Sequence, residues 1–309
     1  MSTERRGASV RHVVVSKDRH GQRLDNFLCG LLDGVPRSLV YRLVRTGQVR
    51  VNGGRAKPMK KLRAGDEVRV PPVSVKPPTD RSPPQALVER IRSRLVARTE
   101  EYCIIDKPAG LAMHAGSGVG YGLVDVVAVF GKQWRPVHRL DRATSGLVLF
   151  ACHRPALLAL QQCFVRREVE KRYLALLSGN LTESICTVNA PLKKIRDGSG
   201  QSQVIVDASG QPALTRFRVL EQLPGFSYVE AEIETGRTHQ IRAHARHIGH
   251  PLAGDERYNA QAGPDGLQRL FLHAHYLRLP WPEDQIFSLP LPDELSAVLE
   301  KLRQAGVQD

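Results

Sequence analysis

Hydrophobic positions near the N-terminus follow a helical spacing twice and then alternate as in a strand. The first apolar stripe is formed by Leu24, Phe27, Leu28 and Leu31, and the second by Leu39, Val40, Leu43 and Val44. Residues 48–51 then alternate, Asn52-Gly53 favours a tight turn, and residues 67–70 alternate again. The pattern predicts a small module that consists of two helices and a β-hairpin.

Strand-like runs dominate the second half of the chain, and helical patterns lie between them. The strand-like runs are residues 147–151, 173–177, 204–206, 215–220, 228–233 and 270–279. The helical patterns are residues 156–167, 238–248 and 293–303. Because strands and helices do not alternate regularly, we expect an α+β fold with a mixed sheet, and not a doubly wound parallel one. The sequence also lacks a glycine-rich phosphate loop, which argues against ATP or NAD as a cofactor.

A proline-rich stretch separates these two parts. Residues 71–84 are so rich in proline that they can form neither a helix nor a central strand. We expect a short basic helix to follow within residues 85–97. The predicted organisation is a small module at residues 1–76, a proline-rich basic linker at residues 77–98 and a large domain at residues 99–309.

Positive charge is concentrated at the N-terminal end of the chain. The whole chain has a formal net charge of +14, of which residues 1–76 supply +11 and residues 77–98 supply +3. Clustered cations attract a phosphate backbone, whereas a solvated polar face is the alternative for such a run. Few acidic residues are interleaved here, so phosphate contact is favoured. The candidate contacts are Arg37, Arg42, Arg45, Lys60 and Lys61.

The cysteines and the N-terminus bear on the cellular compartment. The five cysteines are odd in number, scattered and without a Cys-x-x-Cys pair, which is typical of reduced thiols and not of disulfides or a zinc site. The first ten residues are too polar for a secretory signal, and no apolar run is long enough to cross a bilayer. We therefore expect a cytoplasmic protein.

Two motifs contain candidate catalytic groups. Residues 137–146, VHRLDRATSG, place Asp141 between Arg139 and Arg142, so the carboxylate is expected to be ionised and firmly held. Such a carboxylate can act as a nucleophile, although a structural ion pair in a turn explains the same residues. In residues 234–250, Arg237 stands where a strand can pass into a helix. If it is buried there, Arg237 can form a two-pronged pair with a carboxylate from elsewhere.

Other residues in these regions leave their roles open. His239, His244, His247 and His250 drift around a helix without a completing cysteine or acid, so phosphate-facing or core histidines are favoured over a metal site. An apolar strand in residues 102–118 runs into Lys107 and two glycine-rich turns, which suit either a phosphate or catalytic-loop contact or a surface loop. Tyr173 lies in an apolar strand, where it can be a core residue or stack on an extruded base.

Several motifs together resemble a known family. VHRLDRATSG, ETGRTHQIRAH, KRYLAL, DKPAGLAMH and LFLHAHYLRL, in this order and spacing, resemble the RluA family of pseudouridine synthases. QRLDNFL, VPRSLVYRLVRTGQVRVNG and KLRAGDEVRV resemble the RNA-binding module named after ribosomal small-subunit protein four. The likeness extends from about residue 21 to the last predicted helix. It is greatest to the RluC-type subgroup, which acts on large-subunit ribosomal RNA.

The resemblance implies a fold and a set of roles. The implied fold is α+β, with a small N-terminal αα-plus-hairpin RNA-binding module joined to a mixed, largely antiparallel β-sheet pseudouridine synthase domain with a central cleft. Asp141 is implied to be the nucleophile that lets the glycosidic bond break and the uracil reattach through C5, and its point of attack on base or sugar stays open. Arg237 is implied to pair with Asp141, Tyr173 to pack against the flipped uracil, and Arg139 to enter the vacated space. The residues implied to shape the catalytic loop are His138, Thr144, Ser145 and Gly146, and His138 is also expected to bind RNA.

The resemblance also implies what the protein needs. The isomerisation requires no redox step and no phosphoryl transfer, so we expect no cofactor and no metal. RNA, and specifically large-subunit ribosomal RNA, is the expected partner of a monomer that does not bind membranes. The alternatives are tRNA or another structured RNA as substrate, a non-catalytic RNA-binding or ribosome-assembly protein, and a glycoside or nucleoside hydrolase. A hydrolase usually needs a second carboxylate, for which Glu232, Glu234 and Asp255 are the candidates.

Overall fold

The computed structural model describes residues 9–32, 35, 37–73, 82–115, 120–196, 202–259 and 263–306. Three segments interpreted above lie wholly or partly outside these ranges: the polar N-terminus, the centre of the proline-rich stretch and the second glycine-rich turn. The chain divides into two compact units, Met1–Ser82 and Pro83–Asp309. No helix in the described ranges is long and apolar enough to span a membrane.

The boundary between the units differs from the predicted extent of the linker. Part of the predicted linker folds within the second unit, as a helix at Gln85–Arg92 and a strand at Leu95–Arg98. The helix is shorter than expected, and it buries Val88 and Ile91 in the largest hydrophobic core. The burial of Val88 and Ile91 and the pairing of the strand at Leu95–Arg98 therefore attach residues 85–98 to the second unit. Their charge and the nearby prolines had suggested a linker.

The first unit contains the predicted helices and hairpin. Its elements are β1 (Arg11–Val14), a 3-10 turn (Lys17–Arg19), α1 (Leu24–Leu31), α2 (Arg37–Arg45), β2 (Arg50–Val51), β3 (Gly54–Arg55) and β4 (Glu67–Val70). The strands form an antiparallel sheet in the order β1-β4-β2-β3. Both apolar stripes contribute to one core, which confirms the amphipathic interpretation of α1 and α2. Strand β1 was not predicted.

A buried carboxylate joins the two helices of this unit. The Asp25 side chain is inaccessible to solvent and accepts two hydrogen bonds from the Arg23 guanidinium, at 3.1 and 2.6 Å. It also accepts hydrogen bonds from the Tyr41 hydroxyl at 2.7 Å and from the Asn26 N–H at 2.9 Å. Asp25 therefore fastens α2 to the start of α1, and its oxygens are fully occupied by donors.

The second unit is built on one large sheet. Its strands are β5 (Leu95–Arg98), β6 (Tyr102–Lys107), β7 (Arg135–Pro136), β8 (Ser145–Ala151), β9 (Glu170–Ser178), β10 (Ile185–Asn189), β11 (Leu192–Arg196), β12 (Ser202–Val206), β13 (Leu214–Leu223), β14 (Phe226–Ile233), β15 (Leu272–Leu279) and β16 (Gln285–Ser288). Its helices are α3 (Gln85–Arg92), α4 (Leu123–Phe130), α5 (Arg154–Val165), α6 (Gln240–His247) and α7 (Asp293–Ala305). Every strand and helix predicted for this part of the chain has a counterpart here.

The sheet has the order β10-β13-β14-β9-β15-β8-β6-β5, with β7 beside β8 and β16 beside β15. Among the described strands, β8 and β15 run parallel and the other pairs run antiparallel. The predicted mixed, largely antiparallel sheet is thus confirmed. The hairpin of β11 and β12 stands apart as a two-stranded sheet and packs against α6.

Strand β8 brings the candidate catalytic loop into the middle of the sheet. All its residues are buried, and Gly146 has a φ of +113°. A Cβ atom at Gly146 would lie 2.2 Å from the carbonyl oxygen of Ala274 in β15. Only glycine fits this approach, because a side chain would clash with the neighbouring backbone.

Candidate active site

Asp141 lies in the turn between β7 and β8. The Thr144 N–H donates to the Asp141 carbonyl at 3.2 Å, which closes the turn. Two reciprocal hydrogen bonds attach the turn to the loop after β6: Gly110 N–H donates to the Arg142 carbonyl at 2.8 Å, and Arg142 Nε–H donates to the Gly110 carbonyl at 2.9 Å. The Asp141 side chain remains 21% exposed, so it is held by its backbone and open to a ligand.

Lys107 fastens the same two loops from inside. Its side chain is inaccessible to solvent, and Nζ donates to the carbonyls of Pro108, Leu111 and Arg142 at 3.0, 2.9 and 3.3 Å. Burial lowers the pKa of Lys107 to about 7, while the negative charge of Asp141 opposes that shift. This role of Lys107 was not predicted from the sequence. An apolar strand that ends directly in a lysine was the signal that it is buried.

The polar neighbours of Asp141 come from α6 and the residue before it. His239 Nε2 lies 3.7 Å and Arg242 Nη1 lies 3.8 Å from Asp141 Oδ2. Neither distance is a hydrogen bond, and no hydrogen bond reaches the Asp141 carboxylate from the residues that the structure describes. His239 and Arg242 therefore lie close to the Asp141 carboxylate, but they do not occupy its oxygens with hydrogen bonds.

The structure does not show the predicted pair of Asp141 and Arg237. Among the ion pairs of the described residues none joins these two, and Arg237 Nε–H donates to the Pro212 carbonyl at 3.2 Å. Arg237 precedes α6 and is exposed at the cleft, whereas Arg242 lies in the first turn of α6 and is buried beside Asp141. The helix begins at Gln240, so the arginine that points inward is the later one of the motif.

Arg242 is fixed by a second carboxylate. Its Nε and Nη2 donate to the two oxygens of Asp255 at 2.7 and 2.6 Å, and its guanidinium lies 4.9 Å from the centre of the Tyr258 ring. Burial alone would lower the pKa of Arg242, but the hydrogen bonds and charge of Asp255, with the charge of Asp141, raise it. Arg242 therefore stays charged beside Asp141, and Asp255 serves as its clamp and not as a second catalytic acid.

Asp141 lines an open cleft. The lining combines polar side chains with an apolar side that consists of Tyr173, Ile233, Ile241 and Leu272. Tyr173, predicted to pack against a base, is buried in β9 and lines this apolar side. Burial, and then the charge of Asp141, raise the pKa of Tyr173, so its phenol remains protonated. An apolar wall that faces a carboxylate suits a flat, polar ring.

The other residues of the predicted catalytic loop divide between cleft and core. Arg139 is exposed and Thr144 is buried, and both line the cleft. Ser145 is buried, where its hydroxyl contacts His273 Nδ1 at 2.9 Å and accepts a hydrogen bond from Arg269 at 3.1 Å. Ser145 and Gly146 thus join β8 to β15, and only Arg139 and Thr144 face a ligand.

The described contacts of the His138 ring lie within the protein, and its role in RNA binding stays a prediction. Its Nε2 accepts a hydrogen bond from the Leu149 N–H at 3.1 Å, and its ring stacks on Phe164 at 5.3 Å. Burial lowers the pKa of His138 to about 3, so the ring is neutral. Because Leu149 belongs to β8, His138 shapes the catalytic loop by holding it to that strand, which agrees with its other implied role.

The histidine-rich motif forms no metal site in the described ranges. His244 is buried between Thr215 Oγ1 at 2.8 Å and the Ala190 carbonyl at 2.9 Å. His250 contacts the Ser178 carbonyl at 2.9 Å. Nowhere among the described residues do three His, Cys, Asp or Glu side chains converge as metal ligands.

The cationic residues of the first unit lie on its surface. Arg37, Arg42, Arg45, Lys60 and Lys61 are all exposed. Arg37 donates to the Asn26 side chain, and Arg45 lies 6.0 Å from the centre of the Tyr41 ring. Arg37, Arg42 and Arg45 lie on α2, which Asp25 holds to α1, and Lys60 and Lys61 lie between β3 and β4.

Each of the two units matches the sequence model of a known protein family. The sequence model of the RNA pseudouridylate synthases matches residues 101–247, and that of the S4 domain matches residues 22–68. The ribosomal large subunit pseudouridine synthase C of Haemophilus ducreyi is 41% identical, with 98% of this chain and 99% of that protein covered. The protein of the same name from Escherichia coli strain K12 is 40% identical, with 96% and 98% covered.

A solved structure agrees with the sequence matches. Human RNA pseudouridylate synthase domain containing 1 superposes with a TM-score of 0.59 and 30% identity, covering 71% of this chain and 95% of that chain. The matches confirm the resemblance that the motifs had indicated. The chain belongs to the RNA pseudouridylate synthases, a family of isomerases, and it has an S4 domain at its N-terminal end.

Proposed function

We propose that this enzyme converts uridines of large-subunit ribosomal RNA to pseudouridine, with Asp141 as the nucleophile and Arg242 as its charge partner. The main support for this proposal is the accessible carboxylate of Asp141, which has Arg242 Nη1 at 3.8 Å and His239 Nε2 at 3.7 Å. The named large-subunit relatives match over nearly their full length, which supports the choice of RNA.

The geometry suits the steps of the isomerisation. A uridine must leave its stack before Asp141 can reach it, at a cost of a few kcal/mol. The extruded ring then lies between Asp141 and the apolar wall that contains Tyr173. Asp141 bonds to C6 of the base or to C1′ of the sugar, and that bond breaks again when the product forms, so the carboxylate is regenerated. The bond from C1′ to N1 breaks, the uracil turns, and C1′ bonds to C5. C5 loses a proton and N1 gains one, so the atoms balance without a cofactor.

Arg139 and Arg237 have roles at the mouth of the cleft in this proposal. Both are exposed and line the cleft, and Arg139 fills the space that the flipped nucleotide leaves. Arg237 also borders the adjoining groove with Lys193 and Lys194, so we assign it a phosphate contact in place of the Asp141 pair.

The first unit is proposed to anchor the RNA. Its exposed Arg37, Arg42, Arg45, Lys60 and Lys61 neutralise phosphates, and the energy of those contacts offsets the unstacking at Asp141. All assigned residues of the cleft belong to one chain, so a monomer suffices for the reaction.

The test combines a chemical readout with a cellular one. Large-subunit RNA that contains C5-tritiated uridine should release tritium with the enzyme, and should yield pseudouridine without free uracil. Mapping pseudouridines in cells with and without the protein should show sites lost from large-subunit RNA. Loss confined to tRNA would overturn the choice of substrate. Free uracil would indicate a hydrolase, and no tritium release would indicate a non-catalytic binding protein.

A further inference from the structure

His239 has a backbone conformation that its position in the fold does not explain. Among the described residues, Asn52, Arg167 and His239 are the non-glycine residues with positive φ. Asn52 lies in the β2–β3 turn and Arg167 lies after the end of α5, where left-handed residues are common. His239 instead precedes the first residue of α6, with φ 51° and ψ 24°, where an extended conformation is usual. Such a conformation is unfavourable for a residue with a side chain, and it persists where the surroundings demand it.

The side chain of His239 gains nothing for the helix from this conformation. It makes no capping hydrogen bond to α6. Its ring points instead between Tyr258 and Asp141, with Nδ1 at 2.9 Å from the Tyr258 hydroxyl and Nε2 at 3.7 Å from Asp141 Oδ2. The left-handed backbone thus aims the imidazole into the cleft at the cost of a helix cap.

Tyr258 determines where the proton of the imidazole lies. The Tyr258 side chain is buried, and its hydroxyl oxygen accepts a hydrogen bond from the Val204 N–H at 2.9 Å. A buried phenol also needs an acceptor for its own proton, and His239 Nδ1 is in position to accept it. The ring proton must then be on Nε2, which faces Asp141. The two rings meet edge to face at 5.6 Å and 89°, so the imidazole is also held in orientation.

We infer that His239 is a positioning residue for the isomerisation: Tyr258 holds it as the Nε2–H tautomer, and that N–H directs Asp141 Oδ2 toward the extruded nucleotide. The inference rests on the proposed role of Asp141 as nucleophile. At 3.7 Å the N–H is beyond hydrogen-bond range in the free enzyme, and contacts of this kind commonly shorten when substrate binds. Burial, opposed by the charge of Asp141, lowers the pKa of His239, which agrees with a neutral ring.

Three substitutions separate this role from a structural one. Tyr258→Phe keeps the ring and removes the hydroxyl, and it should lower kcat about tenfold with KM unchanged. His239→Ala should lower kcat about a hundredfold, because a directed donor is lost. His239→Gln places an amide N–H near the position of Nε2 and should recover part of that loss. Tyr102→Phe is the matched control, since Tyr102 is also buried and packs edge to face, against Phe287 outside the cleft.

Nitrogen-15 NMR of histidine-labelled free enzyme tests the tautomer without any RNA. In the wild type, the His239 signals should show a proton on Nε2 alone. In Tyr258→Phe, they should show exchange between the two neutral tautomers, with the proton on either Nδ1 or Nε2. A proton on Nδ1 in the wild type, or an unchanged kcat in both Tyr258→Phe and His239→Ala, would overturn the inference. The proposed function fails separately, if Asp141→Asn is active. Should His239→Ala not fold, Tyr258→Phe and the NMR signals still decide the question.

Discussion

Two aspartates, one in each unit, have similar neighbours and opposite environments. Asp25 and Asp141 each lie near an arginine and near a tyrosine. Asp25 is inaccessible and accepts four hydrogen bonds, whereas Asp141 is 21% exposed and has the nearest nitrogen atoms of His239 and Arg242 at 3.7 and 3.8 Å. A carboxylate whose lone pairs are filled stabilises a fold, and one whose lone pairs are kept open can attack a substrate. Composition around an aspartate does not distinguish these two cases, but the donor distances do.

The largest effect on catalysis is expected from substitution of Asp141. Asp141→Asn should lower kcat by about 10⁴-fold or more, because an amide is no nucleophile. The free energy of unfolding should change by less than about 0.5 kcal/mol, since no hydrogen bond is lost. Tritium release and urea unfolding provide the two measurements. RNA affinity should be retained, and a fully active variant would refute the assignment.

A smaller effect is expected at the arginine that faces Asp141. Arg242→Lys should lower kcat about a hundredfold, because lysine cannot keep both hydrogen bonds to Asp255 while facing Asp141. Arg237→Lys is the matched control from the same motif, and it should change mainly KM. The opposite ranking, with kcat more sensitive at Arg237, would restore the pairing that the sequence suggested. Steady-state kinetics on one RNA substrate decides between them.

Asp25→Asn should weaken the first unit and spare the chemistry. Loss of its charge-assisted hydrogen bonds should reduce the local unfolding free energy of α1 and α2 by about 2 kcal/mol, with kcat at saturating RNA unchanged. Hydrogen exchange in the full chain measures that local stability. A fall in kcat with full exchange protection would contradict the structural role.

The stability that Asp25 contributes should depend on pH. Burial alone would raise the pKa of Asp25, but hydrogen bonds from Arg23, Tyr41 and the Asn26 N–H lower it below its ordinary value. A lowered folded-state pKa gives stability that is present above the unfolded value of about 3.9 and is lost as pH falls below it. Exchange protection of α1 should therefore drop in this acid range in the wild type. The Asp25→Asn protein should lack this component.

The smallest effect is expected at the surface of the first unit. Arg42→Gln with Arg45→Gln should weaken RNA binding severalfold at low salt and reduce the salt slope of log Kd by about 2 if both contact phosphates. Arg303→Gln is the control, because Arg303 is already paired with Glu221 at 2.7 Å. An unchanged slope in the double variant would place the RNA elsewhere.

Periodicity in the sequence was sufficient for most of the fold. The apolar stripes of α1 and α2 and the runs that became β8, β9, β13, β14 and β15 are long or regular enough to identify. Strand β1 was missed, because Arg11–Val14 has a weak pattern and is stabilised by pairing with the distant β4. The linker was predicted too long, because composition does not show that Val88 and Ile91 reach a core.

The sequence predicted which motifs form the site, but not which of their side chains point into the cleft. Asp141 and Tyr173 do line one cleft, and their roles stay proposals. The choice between Arg237 and Arg242 depends on where α6 begins, and the left-handed His239 determines that point. A helix start that depends on an unusual dihedral angle leaves no periodic signal. The hydrogen bond that the Leu149 N–H donates to His138 was likewise not predicted, because it depends on the position of β8.

The contact of Gly146 with Ala274 has a consequence for how the enzyme matures. The catalytic loop obtains its anchor from a strand formed by residues that are translated much later. Contacts between such distant segments assemble late in folding, because closing a long intervening loop is entropically costly. We therefore expect the S4 domain, whose contacts are local, to fold and become able to bind RNA before Asp141 has a fixed orientation. A newly made chain is then expected to acquire RNA binding before catalytic competence.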